Sequence, residues 1–206
     1  MQSDTRSVRE KIRAAAVRLF AEMGYHAAPL RDIASLAGIQ AASIYYHYPS
    51  KQAILVEIMD THMRDLNAHL EHILVRPISM AERLYEAIAS HIRLHTTYKA
   101  EFFIIDTEIR ALEGKSREQI LALRDHYEQL VQQLLQDGIA QGVLRPTDVK
   151  VASYALIAMC TEVASWFRPS GRLTVQQVIE IYHQLVAGGV LLHPAPAVPQ
   201  EGPGRP

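Results

Sequence analysis

The sequence predicts an all-α protein. Apolar residues recur at three- and four-residue intervals along nearly the whole chain, capping signals stand where those runs begin, and no stretch alternates in the manner of a strand. From Val8 the positions Ile12, Ala15, Ala16, Leu19, Phe20 and Met23 share one helix face, and Gly24 can end that helix in a left-handed cap. A short second helix is expected over residues 30–36, with Ile33 and Ala34 inward, then a turn at Gly38 and a third helix over 41–47. Pro49 and Ser50 end the third helix, and Ser50 can cap a fourth. The fourth is long: Ile54, Leu55, Ile58, Met59, Met63, Leu66, Leu70, Ile73 and Leu74 form its apolar stripe before Pro77. Ser79 and Glu82 stand at capping-box spacing and start a fifth helix. Further helices are expected over 101–111, over 116–141 up to Gly142, over 148–167, and over 174–192, where Thr174 and Gln177 repeat the box. From His193 the run "HPAPAVPQEGPGRP" is rich in proline and glycine and is expected to be a disordered tail.

Composition narrows the function. At 206 residues and 49% hydrophobic, the chain can bury one or two small cores. Net charge is only -1, but the first 51 residues carry Arg6, Arg9, Lys11, Arg13, Arg18, Arg31 and Lys51 against Asp4, Glu10, Glu22 and Asp32. A basic head on an acidic body suits a localised anionic partner. A lone cysteine, Cys160, excludes an intrachain disulfide and a Cys-based zinc site. No apolar run is long enough to span a bilayer, and the polar N-terminus does not resemble a signal peptide, so the cytoplasm is the expected compartment and no membrane partner is expected. No Gly-rich phosphate loop, nucleophile elbow or paired-carboxylate motif points to an enzyme or to a cofactor.

The stretch "AASIYYHYPSK", residues 41–51, is the most informative. A helix, a glycine turn and a short helix make a helix-turn-helix. On the third helix Ser43, Tyr45, Tyr46 and His47 carry polar tips, Ile44 is the inward anchor, and Ala41 and Ala42 allow close backbone approach. That chemistry suits phosphates, base edges and thymine methyls in a major groove. A surface helix with aromatic tips packed on a neighbour has the same composition.

Residues 8–54 resemble the DNA-binding head of the TetR family of bacterial transcriptional regulators. The resemblance rests on Ala16, Phe20 and Gly24-Tyr25, on "RDIASLAGI" (31–39), and on "SIYYHYPSK" (43–51). It implies a helix-turn-helix domain over 1–51, a ligand-binding and dimerisation domain over 52–192, and a homodimeric repressor that leaves a palindromic operator when a small molecule binds. It further implies that Arg31 reaches a base edge, and that Gln40, Ala41, Ala42 and Ser43 start the base-facing surface. Tyr45, Tyr46 and His47 would contact phosphates and thymine methyls, and Lys51 would pair with a phosphate at a helix N-terminus. Tyr25 and Tyr48 are expected in the core. Two positions depart from the family: Pro29, after Ala28, replaces a capping Ser or Thr, and Ala41 stands where Lys or Arg is common.

The last two helices are the expected dimer face, through Ala152, Ala155, Leu156, Met159 and Val163, and through Val178, Ile181, Tyr182, Leu185 and Gly189. Polar and aromatic groups on apolar faces nominate an effector site: His91, His95, Tyr98, Phe102, Phe103, Asp106, Arg110, Tyr127, Glu162 and Trp166. Glu162 and Trp166 are four apart, so they share a helix face. The segments 124–145 and 166–191 resemble a branch of the family that regulates fatty-acid, sterol or aromatic-acid catabolism. Several members of that branch sense acyl-CoA thioesters, which implies roles for Arg168 and Arg172 with the anionic CoA moiety. Two other effectors stay open. A cationic drug would use Asp106, Glu162 and Trp166; a metal would use His62, Asp65, His69 and His72 on the fourth helix, although ten histidines make such spacing common by chance and no metal ligand is assigned.

Overall fold

Ser7 starts the first helix with a capping box. Its hydroxyl accepts the Glu10 N–H at 3.2 Å, and its own N–H reaches the Glu10 carboxylate. The computed structural model describes residues 7–190, without the side chains of 189 and 190, so the expected tail over 193–206 lies outside the described residues. In chain order the helices are α1 (Val8–Met23), α2 (Leu30–Ala37), a 3₁₀ segment (Ala41–Tyr46), α3 (Lys51–Val75) and α4 (Met80–Thr97). They continue as α5 (Lys99–Glu108) with a 3₁₀ turn (Ile109–Ala111), α6 (Gly114–Ala140), α7 (Val149–Trp166) and α8 (Val175–Val190). No strand occurs among the described residues, in agreement with the all-α expectation.

Local chemistry sets most boundaries. Ser50 accepts the Ala53 N–H at 3.1 Å, Ser79 and Glu82 form a capping box, and Thr174 and Gln177 bond reciprocally. Gly142 (φ 70°) follows α6 in the left-handed region, as its position suggested. Gly138 is a glycine of necessity: the chain folds back so that Leu144 N–H meets Gly138 O at 3.0 Å, and a Cβ there would lie 2.6 Å from Leu144 Cγ. The third predicted helix differs from expectation, forming as 3₁₀ rather than α. Six residues cannot nucleate an α-helix alone, and Pro49 disfavours α conformation at Tyr48. The predicted sixth helix also starts earlier, at Lys99, and finishes in 3₁₀ turns.

The head consists of α1, α2 and the 3₁₀ segment around Ile12, Ala16, Phe20, Ile33, Ile44 and Tyr48, closed from below by Ile54 and Leu55 of α3. The remaining length of α3, about 37 Å in all, enters the body. There it packs on α4, α5 and α6, while α4 also packs on α7 and α8. The head meets the body a second time where α1 packs on α5.

One loop receives both connections. Lys51 Nζ donates to Tyr25 O at 2.7 Å, Ala28 O at 2.9 Å and His26 O at 3.3 Å, and lies 4.5 Å from the Tyr25 ring centre. From the body, the Glu108 carboxylate accepts the Tyr25 N–H at 3.1 Å. An ammonium has three donors, so Lys51 can reach the expected phosphate only by releasing this loop. Lys51→Met should therefore lower the stability of the chain by about 1–3 kcal/mol in urea unfolding. Unchanged stability together with weaker DNA binding would restore the phosphate role.

Candidate nucleic-acid interface and ligand cavity

The 3₁₀ segment is pinned from beneath, which leaves its outer side for a partner. Ile44 is fully buried, and Tyr48, also buried, donates its hydroxyl to Glu57 Oε1 at 2.8 Å. Arg9 donates to Glu57 Oε2 at 2.9 Å and to His47 O at 3.2 Å, with its guanidinium 4.5 Å from the Tyr48 ring centre. Burial and the Glu57 hydrogen bond push the Tyr48 hydroxyl above its ordinary pKa. Tyr25 and Tyr48 are thus core residues, as expected.

The residues nominated for DNA contact face outward. Gln40, Ala41, Ala42, Tyr45 and Tyr46 are exposed, Tyr46 at 89%, while Ser43 and His47 are half-buried. Arg31 is 81% exposed and, among the described residues, held only by its neighbour Asp32 at 3.3 Å, so its fork can swing toward a ligand. Pro29 precedes α2 with no side-chain cap, in line with its departure from the family pattern.

Within the body a cavity of about 470 Å³ lies between α3, α4, α5, α6 and α7. Met63, Leu66, Ile105, Leu121, Ile157 and Ala158 give it apolar walls. One end is polar: His62, His91, His95, Tyr127 and Thr161. His91 is bonded at both nitrogens, Nδ1 to the Tyr127 hydroxyl at 2.8 Å and Nε2 to the Thr161 hydroxyl at 2.9 Å. His95 lies between His91 (4.3 Å between ring centres) and Phe102 (4.7 Å), with His62 at 5.1 Å. His62 Nε2 and His95 Nδ1 are buried without a hydrogen-bond partner, at a cost of about 1–3 kcal/mol each. Burial drives the His62 pKa down to about 4 and the His91 pKa to about 3, and repulsion from Arg13 and His62 respectively adds to it. Burial, then repulsion from His91 and His62, lowers His95 as well. The imidazoles are therefore neutral at physiological pH.

The structure sorts the nominated ligand residues. His91, His95, Phe102, Asp106 and Tyr127 line the cavity. Tyr98, Phe103, Glu162, Trp166 and Arg168 do not, and Arg110 and Arg172 are also exposed away from it. The reason is rotation about each helix. Thr161 faces the cavity and Cys160, Val163 and Ala164 are buried, so Glu162, about 100° round from Thr161, points outward and binds the Ser165 hydroxyl. Trp166 stacks on Tyr182 of α8, 6.5 Å between centres, and Arg168 donates to Ser165 O and Phe167 O at 3.0 Å each. Tyr98 and Phe103 are 47% and 48% exposed. Missed by sequence reasoning as ligand residues were His62, Thr161 and the charged rim of Arg124, Asp125 and Glu128. His62 could have been found: it interrupts the apolar stripe of α3 between Met59 and Leu66. For the metal alternative, His62 is buried while Asp65, His69 and His72 are exposed, and no group of three or more potential ligands is arranged for a metal among the described residues.

Comparison with known proteins agrees with this geometry. Residues 12–58 match the family description "Bacterial regulatory proteins, tetR family", and 77–190 match "Tetracyclin repressor-like, C-terminal domain". The repressor KstR2 of Mycobacterium tuberculosis is 32% identical over 178 residues, which is 85% of this chain and 88% of that protein. Its structure, described as a ketosteroid transcriptional regulator, superposes with a TM-score of 0.84 at 28% identity, over 92% of this chain and 97% of that one. AibR, solved with isovaleryl coenzyme A and operator DNA, gives 0.79 at 26% identity, over 87% and 97%. A fatty acid metabolism regulator of Bacillus subtilis is 23% identical over 178 residues, 85% of this chain and 92% of that protein.

Two outcomes are expected. Arg31→Ala should cost about 1–3 kcal/mol of operator affinity and relax the preference at one base; equal loss on every sequence would reduce Arg31 to a phosphate contact. The histidine row predicts acid sensitivity. The rings' folded pKa values lie below the unfolded value, so the unfolded chain binds more protons as pH falls through about 6.5. Their contribution is fully present above that pH and is lost on acidification toward about 4, where His62 charges within the fold. Each ring adds at most about 1.4 kcal/mol per pH unit. Urea midpoints taken at about pH 7 and about pH 5 should fall for the wild type and fall less for His62→Leu. An identical fall in both would assign the effect to other groups.

Proposed function

The chain belongs to the TetR family of bacterial transcriptional regulators, and from that premise we propose that it is a homodimeric repressor released from a palindromic operator by an acyl-CoA thioester. The observation that carries the effector reading is the cavity itself. It is large enough for a medium-sized apolar body, at about 470 Å³, and its walls are largely aliphatic. Its buried end holds neutral imidazoles and hydroxyls and no carboxylate. The acids at its edge are exposed (Asp106, Asp125) or half-buried (Glu128), which gives a buried cation nothing to pair with. Arg124 at the edge offers the anionic CoA moiety a two-pronged donor, in place of Arg168 and Arg172. The relatives named for ketosteroid and fatty-acid regulation, and the isovaleryl coenzyme A held by AibR, support the same class.

Arg31, Gln40, Ala41, Ala42, Ser43, Tyr45, Tyr46 and His47 form the operator surface of a head ending near residue 51, and the body from residue 52 senses the ligand and dimerises. Exposed apolar side chains support a pairing face on α7 and α8: Val151 (63%), Trp166, Ile181 and Leu185 (61%). Val163 and Val178, expected on that face, are buried within the subunit instead. Two heads must stand about 34 Å apart to enter successive major grooves. A ligand that moves α3 or α5, both of which line the cavity and hold the α1–α2 loop, would spoil that spacing.

A thermal-shift panel tests the proposal with acyl-CoA thioesters, their free acids and cationic drugs. A true effector at about 100 times its Kd adds roughly 2.7 kcal/mol of stability. Thioesters should stabilise and release operator DNA. Stabilisation by cations alone would replace this reading with that of a drug sensor.

A further inference from the structure

The buried end of the cavity is chemically specific, and a plain hydrocarbon chain would not use it. His62 and His95 are 4% and 5% exposed, and neither ring makes a hydrogen bond among the described residues; Nε2 of His62 and Nδ1 of His95 are sealed off, so the opposite nitrogen of each ring is the one open to the cavity. His91 is fully engaged by Tyr127 and Thr161, so it fixes the row rather than offering a free group. His95 is sandwiched by His91 and Phe102, whose rings are tilted 32° and 31° to its plane, which leaves its ring little freedom to turn away. A neutral imidazole carries one donor and one acceptor. Two such rings at one end of an aliphatic cavity match a single uncharged oxygen function, as acceptor (ketone) or as donor and acceptor (hydroxyl).

We propose that the effector is an oxygenated apolar molecule whose buried end presents a ketone or hydroxyl to His62 and His95. The inference rests on the effector-binding role of this cavity and names the chemistry of the ligand's inner end. A saturated acyl chain would bury its methyl against both rings and leave their nitrogens unpartnered. A carboxylate there would be desolvated next to rings that burial keeps uncharged, and could enter only with a proton.

The test compares three thioesters by calorimetry on the full chain: decanoyl-CoA, the equal-length chain ending in a methyl ketone, and the equal-length chain ending in a carboxylate. The ketone should bind tightest in the wild type. Its advantage over decanoyl-CoA should shrink about tenfold in His62→Leu or His95→Phe, the value of about one hydrogen bond. If either variant fails to fold, the wild-type order and the other variant decide. Equal or tighter binding of decanoyl-CoA overturns the inference while the thioester reading stands. Tightest binding of the carboxylate, with proton uptake, overturns it in favour of anion recognition. If no thioester binds, the thioester reading fails, and a CoA-free pair decides this one: heptyl methyl ketone against the methylidene hydrocarbon of the same shape. The ketone's relative affinity should then fall about tenfold in His95→Phe, and an unchanged ratio overturns the inference.

Discussion

The loop between α1 and α2 is gripped from two sides, and the position of the head depends on that grip. Lys51, at the first turn of α3, satisfies three loop carbonyls, and Glu108, at the end of α5, satisfies the Tyr25 N–H. These are charge-assisted bonds to backbone groups of the loop, and Pro29, which follows them, has no N–H to donate back to the loop carbonyls. Desolvation lowers the Lys51 pKa, so the ammonium is held here against a cost that the three carbonyls offset. The Arg9–Glu57–Tyr48 cluster does the same work at the other end of the recognition segment, joining α1 to α3 beneath His47.

The body contains the opposite situation. Its cavity keeps three imidazoles in contact, two of them with an unpartnered nitrogen, where an all-apolar filling would be more stable. Local cost of that kind is expected where a site is shaped for something other than the fold. The head spends its polar groups on holding one arrangement, whereas the body leaves two buried imidazoles without a hydrogen bond among the described residues.

What the sequence disclosed followed from local chemistry. The helix starts at Ser50, Ser79 and Thr174, and the stop at Gly142, depend on residues within four positions of each other, and they stand where the pattern put them. The apolar anchors Ile44 and Tyr48 were legible for the same reason. The 3₁₀ form of the recognition segment was not, since it reflects length and a following proline acting against helical periodicity. The cavity was half legible. His91, His95, Phe102, Asp106 and Tyr127 were found as polar or aromatic groups on apolar faces. Tyr98, Phe103, Glu162 and Trp166 satisfied the same rule and failed, because spacing tells which residues share a face but not which face meets the neighbours. His62 and His69 show this on one helix: seven residues apart they share a stripe, yet one is buried by α4 and the other is in solvent.

The two helices that hold the loop differ in how directly they would report an occupant. A ligand can bias the head only if it prefers one arrangement of the body over another. On α3 the cavity residues begin at His62, eleven positions or about 16 Å from Lys51, so any shift there arrives as rotation of a long rod whose flank is packed on α6. On α5 the cavity residue Asp106 is two positions, about 3 Å along the axis, from Glu108. Phe102, one turn earlier, is stacked on His95, so a molecule that engages the imidazole row must either preserve that stack or move α5. Movement of α5 acts on the Tyr25 N–H without an intervening element. The short helix is thus the more direct route between cavity and loop, and α3 sets the distance through which a small displacement at the loop is spread to the recognition segment.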